Sequence, residues 1–159
     1  LRPETALPIS EPELFKDKLY ITDFTARGYS DSGQLDRIVK GERLNQPVET
    51  GDSHIQSPDV TLLDNLQEEW TLTATSAWMD ERQAHASLDE NIRIQSGDRN
   101  TITIQTSKLD INLNNRQLQT DQPVEILQAG GVTRGEGLQA DLKNARFEIK
   151  SKVESLYEP

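Results

Sequence analysis

Residues 73–94 read TATSAWMDERQAHASLDENIRI, and residues 105–126 read QTSKLDINLNNRQLQTDQPVEI. These two segments are copies of one repeat, and the repeat decides the fold. The two segments align without a gap at an offset of 32 residues. The aligned pairs are Ala77 with Leu109, Met79 with Ile111, Ala86 with Leu118, Ile92 with Val124, Ile94 with Ile126, Asp80 with Asn112, and Asn91 with Pro123. A period of this size is typical of stacked architectures.

A third and degenerate copy follows, and it reads VTRGEGLQADLKNARFEIKSKV over residues 132–153. We align its Leu142 with Leu109 and predict a shorter turn at residues 143–146. Each copy consists of short runs in which apolar and polar residues alternate, separated by polar turns. Such alternation is typical of half-buried β-strands. The sequence therefore predicts consecutive β-hairpins.

Strands are predicted along the rest of the chain on the same grounds, and the loops on their content of Gly, Pro, Asn and Asp. The predicted strands are 19–26, 34–40 with a continuation at 42–44 after a bulge at Gly41, 59–63, 70–79, 84–88, 91–95, 101–105, 108–113, 116–119, 123–128, 132–142 and 145–155. Residues 27–33, 46–57 and 64–69 are predicted turns or loops. Residues 76–85 have some helical character, but their repeat partner 108–117 alternates as a strand. We predict an all-β fold, a twisted open β-jellyroll of stacked antiparallel strands.

The composition limits the class of function. The chain has 159 residues and a formal net charge of −10, so nucleic acid is a poor partner. Residues 1–18 are rich in proline and charge and are predicted to be an extended leader before a single domain at 19–158. No apolar run is long enough to span a membrane. Because the chain begins at Leu1, we expect that a targeting or anchoring segment precedes it.

Catalytic and metal-binding motifs are absent from the sequence. The chain contains no cysteine, and its two histidines, His54 and His85, are isolated and expected to face solvent. Aspartates are plentiful, and a glycosidase needs only two facing carboxylates, but most of these lie at turns or at polar strand positions. We expect no cofactor and no enzymatic activity. A carbohydrate-active β-fold enzyme stays open as an alternative.

The apolar residues that alternate with polar ones along the strands give the clearest indication of function. Its members are mostly medium-sized aliphatic residues, and few large aromatic residues are available to fill the space between two sheets. One interpretation is an ordinary filled core, as in a structural or adhesive β-solenoid. The other is an open groove that holds acyl chains, where each buried CH₂ group contributes about 0.8 kcal/mol.

The order of short motifs in the chain resembles the LptC family of lipopolysaccharide export proteins. The motifs are Trp70-x-Leu-x-Ala, Leu88-x-x-Asn-Ile-x-Ile, Thr120-Asp-x-Pro-Val-x-Ile, Gly135-x-Gly-Leu-x-Ala-Asp-Leu and the closing Val153-x-x-x-Tyr, preceded by SDSGQL at 30–35. The resemblance covers about residues 19–158. The related LptA and the N-terminal domain of LptD have the same type of repeat.

The resemblance implies a periplasmic jellyroll anchored to the inner membrane by one N-terminal transmembrane helix. It would bind the acyl chains of lipopolysaccharide and pass the lipid from the transporter LptBFG to LptA. The implied lipid-binding interior positions are Ile55, Trp70, Leu72, Ile92, Ile94, Ile102, Ile104, Leu109, Ile111, Val124, Ile126, Phe147 and Ile149. Ile55 stands where the family often has an aromatic residue.

The resemblance also implies two docking edges. LptF and LptG would bind the N-terminal edge, at Tyr20, Ile21 and the hairpin glycine Gly33. LptA would bind the C-terminal edge, at Gly130 and Tyr157. Gly131 is an additional glycine beside Gly130. The acidic chain is compatible with such a ligand, because the sugar phosphates can stay in solvent while the acyl chains lie inside.

Overall fold

The structure, a computed structural model, describes residues 17–49, 51–64, 67–80, 82, 84–97 and 101–157. All regular elements within these ranges are β-strands. They are β1 Asp17–Tyr29, β2 Leu35–Pro47, β3 Ser53–Gln56, β4 Asp59–Asp64, β5 Gln67–Thr73, β6 Ser76–Met79, β7 His85–Ser96, β8 Thr103–Asn112, β9 Gln117–Gln128, β10 Gly131–Asp141 and β11 Arg146–Tyr157. The predicted all-β jellyroll is confirmed.

Every strand pairing is antiparallel, and the strands form one continuous sheet. Consecutive strands pair from β7 to β11. In the N-terminal half the sheet divides, because β2 and β7 each pair with two short strands. The 37–40 half of β2 pairs with β4, and its 43–45 half pairs with β3. The 93–96 half of β7 pairs with β5, and its 86–89 half pairs with β6.

A crease therefore runs across the strands and separates the sheet into two walls. The first wall contains β4, β5 and residues 24–29, 35–41, 93–96, 103–106, 124–128, 131–134 and 151–157. The second wall contains β3, β6 and residues 17–22, 43–47, 85–89, 108–112, 117–120, 138–141 and 146–149. Four strands, β1, β7, β10 and β11, have left-handed residues at the crease, which are Asp23, Glu90, Asn91, Gly137 and Lys152. The register shifts at all of these except Asp23, and such a β-bulge bends a strand and increases its twist.

The repeat corresponds to hairpins whose turns share one hydrogen-bonding pattern. The Asn112 Oδ1 atom accepts hydrogen bonds from the backbone N–H groups of Asn114 and Asn115. The Asp141 Oδ1 atom accepts them from Lys143 and Asn144. Short polar side chains that bind the backbone two or three residues ahead stabilise turns of this kind.

The third copy of the repeat was aligned incorrectly. Leu142 follows the capping residue Asp141 as Leu113 follows Asn112, so Leu142 corresponds to Leu113 rather than to Leu109. Both leucines are 2% exposed. The predicted shortening of the last turn is also wrong, because 113–116 and 142–145 both contain four residues between strands.

Several predicted strand boundaries were wrong, most of them because the chain bends or crosses over at the crease. The predicted strand 70–79 is two strands, because the chain crosses the crease at residues 74–75. The predicted pairs of short strands in β7, β8 and β9 are single long strands that bend at the crease without ending. Part of the predicted loop 46–57 forms β3. The leader predicted at 1–18 lies outside the described residues up to residue 16, and β1 begins at Asp17.

The inward side chains of both walls form one hydrophobic cluster. Both members of each apolar repeat pair belong to it. Ile94 of β7, for example, pairs with Ile104 of β8, which pairs with Ile126 of β9. The cluster continues from Leu44 on β2 to Leu142 after β10. The interior is thus a continuous apolar strip that runs across the strands.

Candidate functional site

The candidate interior residues all belong to this strip. Ten of the predicted positions are buried in the cluster, namely Ile55, Trp70, Leu72, Ile92, Ile94, Ile104, Leu109, Ile111, Val124 and Ile126. Ile102, Phe147 and Ile149 are partly buried and pack against it. Alternation along each strand places them on one side of the sheet. The structure therefore brings all the predicted interior residues together.

The strip is closed in this structure. Ile94 and Ile104 are 0% exposed, and Ile126, the most exposed of the ten, is only 9% exposed. The inward side chains of the two walls fill the space between them. An apolar ligand can enter this interior only where the walls part. The crease cannot part without breaking strands, so any opening must occur along the opposite side.

On the opposite side, three side chains join the strand ends of the two walls. We call this line the seam, and its residues are Asp36, Arg37, Leu63 and Trp70 on the first wall and Asn114, Arg116 and Leu142 on the second. The Arg116 Nη2 atom donates to the carbonyl oxygens of Leu63 at 2.5 Å and of Asp36 at 3.1 Å. The Arg37 Nη2 atom donates to the Asn114 Oδ1 atom at 2.9 Å.

The third seam contact is apolar as well as polar. The buried indole of Trp70 donates from Nε1 to the Leu142 carbonyl oxygen at 3.1 Å. The Trp70 ring also meets the Phe147 ring edge to face, with centroids 5.9 Å apart. Trp70 and Phe147 were predicted as interior residues, whereas Arg116 was not predicted. Alternation gives no signal for Arg116, because it lies in a turn and its partners are distant in sequence.

The two outer strands carry most of the large apolar side chains that remain exposed. Within the described residues β1 pairs only with β2, and β11 pairs only with β10. The exposed side chains on these strands are Leu19, Tyr20, Ile21 and Tyr29 on β1 and Val153, Leu156 and Tyr157 on β11. Unpaired edges with apolar side chains are competent to add a further strand.

The candidate edge residues occupy different parts of these strands. Tyr20 and Ile21 lie on β1, with Tyr20 facing outward and Ile21 facing the interior side beside Leu44. Gly33 lies in the β1–β2 turn. Gly130 lies in the β9–β10 turn with a φ of +80°, and no atom lies within 4 Å of a Cβ built there.

The outer face of the second wall is polar. A cleft of about 530 Å³ is lined by side chains that include Asn112, Gln117, Gln119 and Gln139. His85 is exposed, as expected, whereas His54 is half-buried and contacts the Trp78 ring at a centroid distance of 4.8 Å. The described residues contain no group of three or more side chains that could hold a metal ion.

Comparison with known proteins assigns the family. Residues 8–158 match the family described as "Lipopolysaccharide-assembly, LptC-related". The chain belongs to this LptC-related family. A search of curated proteins gave no match.

The fold of this LptC-related chain is similar to that of a solved structure. LptH from Pseudomonas aeruginosa is described as the LptA-homologous periplasmic component of the lipopolysaccharide transport device. Its identity to this chain is 11%, its TM-score is 0.61, and the match covers 77% of this chain and 95% of LptH. This similarity shows the shared jellyroll fold.

Membership of the LptC-related family assigns the chain to periplasmic lipopolysaccharide transport as a protein that is not an enzyme. The alternative of a carbohydrate-active enzyme is therefore wrong. Among the described residues, no helix is long and apolar enough to cross a membrane.

Proposed function

We propose that this chain binds the acyl chains of lipopolysaccharide between its two walls and passes the lipid along the strip. The single observation that carries the proposal is the continuity of the interior. The buried positions follow one another from Ile55 on β3 to Ile126 on β9, and Phe147 and Ile149 continue them on β11. No charged side chain is among the buried residues of the described chain, in which Thr120 is the one buried polar residue.

We propose that the two edges bind different partners. The N-terminal edge, with Tyr20 and Ile21 exposed on β1, would receive lipid from LptF and LptG of LptBFG. The C-terminal edge, with Tyr157 exposed on β11, would deliver it to LptA. Addition of strands from a partner at either edge would extend the apolar strip beyond one molecule. The chain would act at the periplasmic face of the inner membrane, held there by an N-terminal transmembrane helix.

The experiment that tests this proposal compares adjacent inward and outward positions. A photoreactive residue is placed at Ile94 or Ile111, which face the interior, and at Gln95 or Asp110, which are their neighbours on the opposite face. We expect lipopolysaccharide to crosslink to the inward positions and not to the outward ones. Equal crosslinking from both faces, or none from either inward position, would contradict lipid binding in the interior.

A filled structural core is the competing function, and the closed packing around Ile94 and Ile104 favours it. The same crosslinking experiment separates the two, because a permanently filled core admits no lipid. A thermal titration adds a second measure. Lipid that enters the interior should raise the melting temperature in proportion to the logarithm of its concentration above Kd.

A further inference from the structure

Arg116 is unusual among the basic residues of the seam. Its side chain donates hydrogen bonds to two neutral carbonyl oxygens, and within the described ranges it forms no ion pair with a carboxylate. Arg37, by contrast, lies 3.3 Å from the Asp36 carboxylate. The Asp36–Arg37 pair is therefore electrically balanced, and Arg116 leaves one positive charge at the seam of a protein whose net charge is −10.

The backbone of Arg116 adds a second observation. Its φ is +60°, in the left-handed region, which long side chains rarely occupy and which costs about 1–2 kcal/mol. The equivalent position in the next turn holds Ala145, with a φ of +50°. The turn therefore does not require an arginine. The guanidinium group has five N–H donors, and both of these hydrogen bonds come from Nη2, so the donors on Nε and Nη1 are available to a ligand.

We propose that Arg116, with Arg37 beside it, binds the phosphate headgroup of an acylated amphiphile whose chains lie between the walls. This inference rests on the proposed function. Parting the seam separates Arg116 from the Leu63 and Asp36 carbonyl oxygens. A phosphate at the seam replaces these acceptors with charged oxygens that match the planar fork of the guanidinium group. The headgroup would thus compensate for the contacts that are lost when the walls part.

The test uses two fluorescent probes that differ only in charge, bis-phosphorylated lipid A and its enzymatically dephosphorylated form. Binding is titrated with the wild-type chain, Arg116→Gln, Arg116→Lys and the control Arg134→Gln. Arg134 is an exposed arginine on the outer face of the first wall, 2.8 Å from Glu125. All variants are first checked for the strand signal in circular dichroism and for their melting temperature.

We expect Arg116→Gln to reduce the affinity for the bis-phosphorylated probe about tenfold, as the loss of one charge-assisted interaction predicts. The affinity for the dephosphorylated probe should not change. Arg116→Lys keeps the positive charge and should lose less affinity for the bis-phosphorylated probe than Arg116→Gln does. If Arg116→Gln does not fold, a loss of affinity in Arg116→Lys that is restricted to the phosphorylated probe supports the same conclusion.

Equal effects of Arg116→Gln on the two probes, or no effect on either, would overturn the headgroup site and leave acyl-chain binding intact. An equal loss in Arg134→Gln would show that only the general charge of the surface matters, which also overturns it. If the wild-type chain binds neither probe, the proposed function itself fails, and the headgroup site fails with it.

Discussion

The ring of Tyr157 covers Gly131 so closely that a Cβ atom on Gly131 would lie 2.0 Å from the Tyr157 Cδ1 atom. The two residues are register partners at the end of the β10–β11 pair. Gly131, which the sequence presented only as an additional glycine, is therefore the residue that permits this contact. Gly130 makes no comparable contact.

We expect Gly131→Ala to push the Tyr157 ring away from β10 and to separate the end of β11. Because Tyr157 is 58% exposed, the ring can move into solvent, and the free energy of unfolding should change by about 0.5 kcal/mol or less. Faster amide hydrogen exchange at residues 153–157 would report the local opening. Gly130→Asn is the matched control, since asparagine tolerates a positive φ and open space surrounds that position.

The same edge gives a prediction for partner binding. Gly130→Arg places a long charged side chain beside the end of β10 and should reduce recovery of LptA in a pull-down assay by crowding the strand-to-strand joint. Gly33→Arg, in the β1–β2 turn and also in open space, should leave LptA recovery unchanged. An unchanged recovery with Gly130→Arg would mean that LptA binds elsewhere.

Trp70→Phe should destabilise the seam. Phenylalanine keeps an aromatic ring near Phe147 but has no N–H group, so the buried carbonyl oxygen of Leu142 loses its shorter hydrogen bond and keeps only the one from the Ala145 N–H group at 3.4 Å. The loss of one buried hydrogen bond costs about 0.5–1.5 kcal/mol, and urea denaturation should show it. The control is Trp78→Phe, because Trp78 is exposed on the outer face, and a change there should remain within about 0.5 kcal/mol.

Ile104→Ala should reduce the free energy of unfolding by about 2–5 kcal/mol, because Ile104 is fully buried and the substitution leaves a cavity. Ile102→Ala, at a partly buried position two residues away, should cost less. Lipid A that enters the interior should raise the melting temperature of Ile104→Ala at least as much as that of the wild type. A melting temperature unaffected by lipid in both proteins would favour a permanently filled core.

Asp141, which caps the turn between β10 and β11, should make the stability of the fold depend on pH. The Asn144 side chain donates to the Asp141 carboxylate at 2.7 Å, and together with the N–H groups of Asn144 and Lys143 it lowers the Asp141 pKa below 3.8. A lowered pKa contributes stability above the unfolded-state pKa, and the contribution is lost as the pH falls below 3.8 towards the folded-state pKa. Wild type should therefore lose stability in this range.

Asp141→Asn isolates this effect, since Asn112 already caps the preceding turn with an amide. The variant cannot titrate at this position. We expect the difference in unfolding free energy between wild type and Asp141→Asn to become less favourable to wild type between pH 5 and pH 2. Urea titrations at several pH values measure it, and a difference that does not vary with pH would contradict the assignment.

The repeat and the alternation along the strands were sufficient to predict the stacked hairpins and the inward residues, whereas the two docking edges came from the family resemblance. Alternation is a local property, so Ile94, Ile111 and Ile126 could be placed on one face without knowledge of the fold. The short strand β3 was missed because it is stabilised by pairing with β2 and β6 rather than by its own sequence, SHIQ. Leu142 was misaligned because the third copy of the repeat retains few apolar positions that could define its alignment with the first two.

The sequence by itself therefore determined the all-β class, the family and the apolar strip, since all three follow from side-chain periodicity and short motifs. Only the tertiary structure decided that the strip is closed and that a seam joins the walls. Arg116 meets Asp36 and Leu63 across separations of 80 and 53 residues, and Trp70 meets Leu142 across 72. These contacts depend on how far each strand bends at the crease, and that bend is set by the packing of both walls together.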